Sequence, residues 1–150
     1  MNILNDIRKW LLTEETITDV VGTRIWKYSC RMVSDKTFGV SGLKALVLDV
    51  LPGFNNNPMS SQQNGILEAK FYASNTILVD KKTKDDAEDK CWDFYYIADK
   101  ILNRCNREIK DLTDFLILGI FRTGEPMIVY DEVQGSPCLL VLYEFIYLLK

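Results

Sequence analysis

The stretch DDAEDKCWDFYYIADKILNRC, residues 85–105, decides the fold class. Ala87, Cys91, Phe94, Tyr95, Ala98, Ile101, Leu102 and Cys105 recur at three- and four-residue spacing, so they share one broad apolar face of a helix. Thr83 with Asp86 three residues later predicts a capping box, and Asp85 and Glu88 place negative charge in the first turn. Such a helix runs for roughly 35 Å. At roughly 1.5–3 kcal/mol per fully buried large side chain, Phe94, Ile101 and Leu102 suffice to anchor it on a sheet.

The flanking segments supply that sheet. LKALVLDVL, residues 43–51, is a nearly continuous apolar run stopped by Pro52-Gly53, the pattern of a central strand covered on both faces. GILEAKFYAS, residues 65–74, alternates Leu67, Ala69, Phe71 and Ala73 against Glu68, Lys70 and Tyr72. Between them FNNNPMSSQQN, residues 54–64, reads as a long exposed loop, either plain surface or a contact arm. Downstream, FLILGIFR (115–122), MIVYDEVQ (127–134) and CLLVLYEFIYLL (138–149) predict three strands parted by T-G-E-P and G-S-P, links short enough to make neighbours antiparallel.

At the N-terminus Ile3, Leu4, Ile7 and Leu11 predict an amphipathic helix over residues 3–12. Thr13 reads as the N-cap of a second short helix, with Glu14 and Glu15 in its first turn, Ile17, Val20 and Val21 turned inward, and Gly22 as its C-cap. Arg24-Ile25-Trp26 then opens an extended segment ending near Tyr28, and residues 29–42 read as a loop. The expected fold is one α+β domain, residues 1–150: a mainly antiparallel mixed sheet, one long helix packed on a face, and short N-terminal helices.

Composition removes several functions. The chain has 150 residues, 47% of them hydrophobic, enough for one core. Its 18 basic residues are spread among 21 acidic ones for a net charge of −3, which lacks the footprint of a nucleic-acid binder. No run reaches the roughly 18 apolar residues of a membrane helix, and MNILNDIRKW carries charges where a secretory signal is apolar, so a soluble chain made in the cytoplasm is expected. Histidine is absent, which excludes Ser-His-Asp and Cys-His catalysis and His-containing zinc sites. Cys30, Cys91, Cys105 and Cys138 form no C-x-x-C pair and read as buried free thiols in a reducing compartment. No phosphate-binding or nucleophile-elbow motif occurs.

Carboxylates remain. Asp49, Asp131 and Glu132 lie on strands and would have to converge to bind a hard cation or exchange protons, whereas strand acids are usually solvated. The expectation is therefore no enzyme, no cofactor and no metal. Trp92 and Tyr96 flank the apolar helix face and serve either to stack a ligand or as core edges and subunit contacts. Arg24 is expected to pair with an acidic residue of its own chain or of a neighbour.

The order of elements, helix, short helix closed by V-G-x-R-I-W, strand, loop, strand, long helix, then antiparallel strands, resembles the tail terminator or tail-completion proteins of long-tailed bacteriophages. The residues that carry the resemblance are Thr18 to Trp26, the passage from Leu67 to Leu102 with Asp86-Ala87-Glu88 opening the helix, and the closing strand Leu139 to Leu149. The family pattern of a small apolar pair, glycine, a variable residue, arginine, isoleucine and an aromatic is met with Trp26 as the aromatic. The stretches 29–42 and 54–64 match no part of the pattern.

The resemblance implies a subunit of a hexameric ring that caps the tail tube, terminates its polymerisation and offers its other face to the head-side connector, within a virion assembled in the host cytoplasm. The implied partners are copies of itself, the tail tube protein, the connector protein, and DNA only as passing cargo, with no membrane. Arg24, Trp26, Phe54, Asn55, Asn56, Asn57, Met59 and Glu132 are then the expected subunit or partner contacts, and Asp49 and Asp131 the expected lumen charges. The alternatives are a head-tail connector or neck subunit, or a small intracellular adaptor or ligand-binding domain built around Trp92, Tyr95 and Tyr96.

Overall fold

The computed structural model of the chain describes residues 2–27, 44–52, 61–72, 81–103, 109–131 and 136–150. In chain order these form α1 (Ile3–Leu11), α2 (Glu15–Val21), β1 (Ile25–Lys27), β2 (Ala45–Pro52), β3 (Gln62–Tyr72), α3 (Lys81–Leu102), β4 (Lys110–Asp111), β5 (Phe115–Asp131) and β6 (Ser136–Leu149). The strands make a mixed six-stranded sheet in the order β1-β2-β3-β6-β5-β4, an α+β fold. Only the β1–β2 pair is parallel.

All three described helices contribute to the main core, on one face of the sheet. From α1 come Leu4, Ile7, Trp10 and Leu11, from α2 Ile17 and Val21, and from α3 Cys91, Phe94, Tyr95, Ala98, Ile101 and Leu102. They meet a row of paired residues running across five strands, Ile25, Leu46, Phe71, Leu139 and Ile128. Phe71 is its centre: the Phe94 ring stands edge-on to it at 5.0 Å and the Tyr95 ring at 5.8 Å, arrangements that add to plain area burial. The apolar stripe read from residues 85–105 is therefore the face that α3 buries.

Two local expectations, both of helix caps, are corrected. The long helix begins at Lys81, two residues before Thr83, so Thr83 lies inside the first turn and does not cap it. Thr13 does not cap α2 either: Glu14 holds the N-cap position without a side-chain bond, and the Thr13 hydroxyl donates to the Trp10 carbonyl at 2.6 Å. With so few residues between α1 and α2, a carbonyl in the last turn of the first helix lies nearer than the amides of the second. Gly22 does end α2, at φ 59° and ψ −126°, a positive-φ backbone that glycine adopts without a Cβ clash.

The largest correction concerns the last two strands. FLILGIFR and MIVYDEVQ are not separate: they are the two halves of β5, both paired to β6. T-G-E-P bulges, with Gly124, Glu125 and Pro126 set against Val141 alone between the Thr123–Leu142 and Met127–Leu140 pairs, and Gly124 takes a φ of 72°. Because β6 is long and largely apolar, it offers ladder partners to both halves, so the chain gains more by continuing than by reversing. Pro126, which has no N–H to give, falls where the ladder is already interrupted. A second irregularity between Ile117 and Gly119 shifts the inward set, so Ile117 and Ile120 are both buried. At the other end β3 starts at Gln62, so Gln62, Gln63 and Asn64, read as loop, are strand paired to Leu148, Tyr147 and Ile146. The predicted loop over 29–42 lies outside the described residues.

Candidate functional site

Every second residue of the strands points away from the helices, and that face carries much apolar surface. One row across it reads Trp26, Val47, Lys70, Leu140 and Met127. Near its β1 end Trp26, Ala45, Val47, Tyr72 and Cys138 form a second, small buried cluster. Further along, Leu51, Ile66, Glu144 and Phe121 form another row. β6 is apolar on both sides, with Glu144 its only charge between Cys138 and Leu149, although the described helices cover only one side.

The charges on this face are mostly negative. Asp49 lies opposite Glu68, Glu68 pairs with Lys70 at 3.5 Å, and the Asn64 amide donates to Glu144 at 3.2 Å. The Asp49 carboxylate accepts the Val50 amide at 2.8 Å. On β2, β3 and β6, three carboxylates thus share the face with one ammonium.

The sheet ends differently on its two sides. β4 pairs with β5 only at Leu116 and Ile117, so among the described residues no strand flanks the side of β5 away from β6 from Leu118 to Asp131. Met127 and Val129 on that edge are 57% and 38% exposed. On the opposite side β1 flanks β2 only over Leu46 to Leu48, and Leu51 beyond it is 37% exposed. Around β1 three basic side chains bond neutral oxygens: Arg8 the Ile25 carbonyl, Arg24 the Lys44 carbonyl at 2.7 Å, and Lys27 the Asn5 side-chain oxygen. Arg24 thus binds a backbone carbonyl of its own chain, where an acidic side chain was expected.

The sites read from the sequence fall into three groups. Arg24, Trp26 and Asp49 lie at or near the β1–β2 side, Trp26 almost fully buried at 7% exposure. Asp131 ends β5 on the opposite side, so the sheet does not bring it to Asp49. Phe54, Asn55, Asn56, Asn57, Met59 and Glu132 lie outside the described residues, as do Cys30 and Cys105. Cys91 and Cys138 are buried free thiols. Trp92 stacks edge-on to Tyr95 at 5.8 Å and Tyr96 is 58% exposed beside it.

Sequence reading missed a polar clamp between α3 and the sheet. Tyr143 on β6 donates to Asp99 at 2.8 Å, Arg122 on β5 donates to the Tyr95 hydroxyl and lies 4.0 Å from Asp99, and the Arg122 amide donates to Asn103 at 3.0 Å. Burial pushes the Tyr143 hydroxyl far above its usual range and the neighbouring Asp99 carboxylate reinforces this. Burial also raises Tyr95, against the opposing pull of the Arg122 bond. Both phenols therefore stay protonated and serve as fixed hydrogen-bonding groups. The available signal was Asp99 beside the apolar stripe of α3, four residues after Tyr95. Asp6 is a second such group, 4% exposed on the buried face of α1, where it accepts the Asp114 amide at 2.8 Å.

Among the described residues no group of three or more acids or cysteines is placed to hold a metal ion, and no helix is long and apolar enough to cross a membrane. What the geometry offers is surface: a sheet face that no described helix covers and two unlike edges. The same fold occurs in a virion. A chain of the solved "Virion of native gene transfer agent (GTA) particle" superposes with a TM-score of 0.55 over 97% of this chain and 94% of that one. The two sequences are 9% identical, so the likeness is one of fold. No protein-family model matches the sequence, and no curated protein is similar to it in sequence.

Proposed function

We propose that this chain is a structural virion protein of a phage-like particle, the subunit of a hexameric ring that caps the tail tube, ends its growth and receives the head-side connector. The observation that carries the reading is the end-to-end likeness in fold to a gene transfer agent virion chain, which spans nearly all of both proteins. The surfaces suit the role, because a closed ring joins two different patches on each subunit and needs edges and faces more than reactive groups. Domain extent over residues 1–150, residence at the head-proximal end of the tail and the absence of enzymatic activity belong to the same proposal.

In such a ring the sheet face that no described helix covers, with Asp49, Glu68 and Glu144, is suited to line the lumen, where carboxylates repel the phosphates of passing DNA and keep them from sticking. Asp131, the last residue of β5, would extend that charge. Charge reversal at Asp49 and Glu68 that leaves both assembly and DNA passage unchanged would remove the lumen assignment.

The test of the main reading is tube growth. Purified chain added to polymerising tail tube subunits is expected to arrest elongation and shift the length distribution downward at substoichiometric amounts; tubes of unchanged length would overturn it. The neck-subunit alternative rests on the same likeness and is separated by partner choice, since that protein would bind the portal-side ring and leave tube growth alone.

A further inference from the structure

A pocket of about 250 Å³ opens where α1 meets β4, walled by Asp6, Lys9 and Trp10 on one side and by Lys110, Asp111 and Leu112 on the other. Most of its polar groups are already matched. The Trp10 indole N–H donates to Glu14 at 2.7 Å, Lys110 lies 3.5 Å from the same carboxylate and 5.3 Å from the centre of the Trp10 ring, and Asp111 pairs with Lys150. Asp6 is the exception. It is 4% exposed, its Oδ2 accepts the Asp114 amide, and its Oδ1 has no hydrogen bond or ion pair among the described residues. A buried carboxylate with a single amide donor is poorly compensated, and a charged donor compensates it best. We propose that this pocket receives a basic side chain, arginine or lysine, from a neighbouring protein, its cationic head bonding Asp6 Oδ1.

Size, charge and surroundings fix this class of occupant. One water takes roughly 30 Å³, and pockets for drug-sized ligands and cofactors run from roughly 300 to 1,000 Å³, so the space exceeds a single water and falls short of a cofactor site. One long side chain fits it. The charges of Lys110 and Asp111 are offset by Glu14 and Lys150, which leaves Asp6 with only the Lys9 ammonium nearby, three residues on along α1. Lys9 is exposed and makes no ion pair among the described residues, so water and salt screen it, whereas the buried carboxylate is screened far less. Beside the pocket in the chain, Ile109 next to Lys110 is 63% exposed and Leu149 next to Lys150 is 53% exposed. A protein surface brings apolar contacts for such residues, and a free small cation does not. The site needs a protein neighbour and does not depend on the ring reading.

NMR titration of the isotope-labelled full chain, followed at the Asp114 amide and the Trp10 indole N–H, tests it with three probes: capped arginine, capped lysine, and capped citrulline, which keeps the shape of arginine without its charge. Capped arginine or lysine is expected to shift both signals saturably. Binding is expected to be at least about tenfold weaker for citrulline, and for capped arginine on Asp6→Asn, which keeps an oxygen for the Asp114 amide. Lys9→Gln changes only an exposed side chain and is expected to tighten cation binding several-fold by removing a like charge. A capped Leu-Arg-Leu peptide is expected to bind more tightly than capped arginine, and to lose that advantage when Ile109→Ser is combined with Leu149→Ser. Citrulline binding as well as arginine, shifts that persist in Asp6→Asn, or no saturable shift at all, the result for a pocket that holds water only, would each overturn the site. Weaker cation binding in Lys9→Gln would overturn the charge argument, and equal binding of the peptide and capped arginine would overturn the protein occupant.

Discussion

Gly65 is the position where the packing leaves least freedom. It lies directly opposite Phe145 across the β3–β6 ladder, and a Cβ built on it would come within 2.4 Å of Cζ, 2.8 Å of Cε1 and 3.1 Å of Cε2 of that ring. The ring has nowhere to go: it is fully buried, and Tyr147 packs beside it with centroids 5.3 Å apart. Replacing glycine with alanine normally stabilises by about 0.4–1 kcal/mol through the unfolded chain where the backbone permits it. Here overpacking of about 1–3 kcal/mol acts against that gain, so Gly65→Ala is expected to lose about 1–2 kcal/mol net. For a chain of this size that lowers the melting temperature by about 2–8 °C. All three colliding atoms are absent from leucine. Thermal and urea unfolding of Gly65→Ala, Phe145→Leu and the double variant therefore form a cycle in which Gly65→Ala costs little or nothing once the ring is gone. Additive losses, or a Gly65→Ala protein as stable as wild type, would refute the reasoning.

The α3 clamp and the α1 anchor give further tests. Tyr143→Phe removes a donor to a carboxylate and is expected to cost about 1.5–3 kcal/mol in urea unfolding. The phenols also set a pH dependence: their folded values lie above the ordinary value near 10, so their stabilisation is complete below about pH 10 and is lost progressively as pH rises beyond it. Melting temperature measured from pH 8 upward should fall above pH 10 in the wild type and fall less steeply in Tyr143→Phe. Asp6→Ala leaves the half-buried Asp114 amide without its acceptor and is expected to cost about 1–3 kcal/mol, with faster hydrogen exchange at that amide. Lys150→Ala, by contrast, breaks an exposed pair with Asp111 and is expected to change stability by under about 1 kcal/mol.

What the sequence revealed followed from periodicity. The stripe from Ala87 to Leu102 and the alternation of Leu67, Ala69 and Phe71 each report which side of an element meets the core, and both are buried as expected. Cap positions were less legible, since Thr13 satisfies a carbonyl behind it and Thr83 sits past a helix start that the lysines at 81 and 82 do not announce. T-G-E-P carries the residues of a turn, and only the presence of a long partner strand decides that it bulges instead. The Tyr143–Asp99–Arg122 clamp joins residues far apart in the chain, which no local pattern reports. Interface assignments were hardest: charge on a strand looks alike whether it faces solvent, a lumen or another subunit.

Light scattering of the purified chain, with and without its tail tube subunit, tests the central claim most directly. The account predicts a closed particle near six times the 17.3 kDa chain mass, formed by the chain alone or on the end of the tube. A monomer of unchanged mass at every concentration, indifferent to the tube subunit, would contradict it.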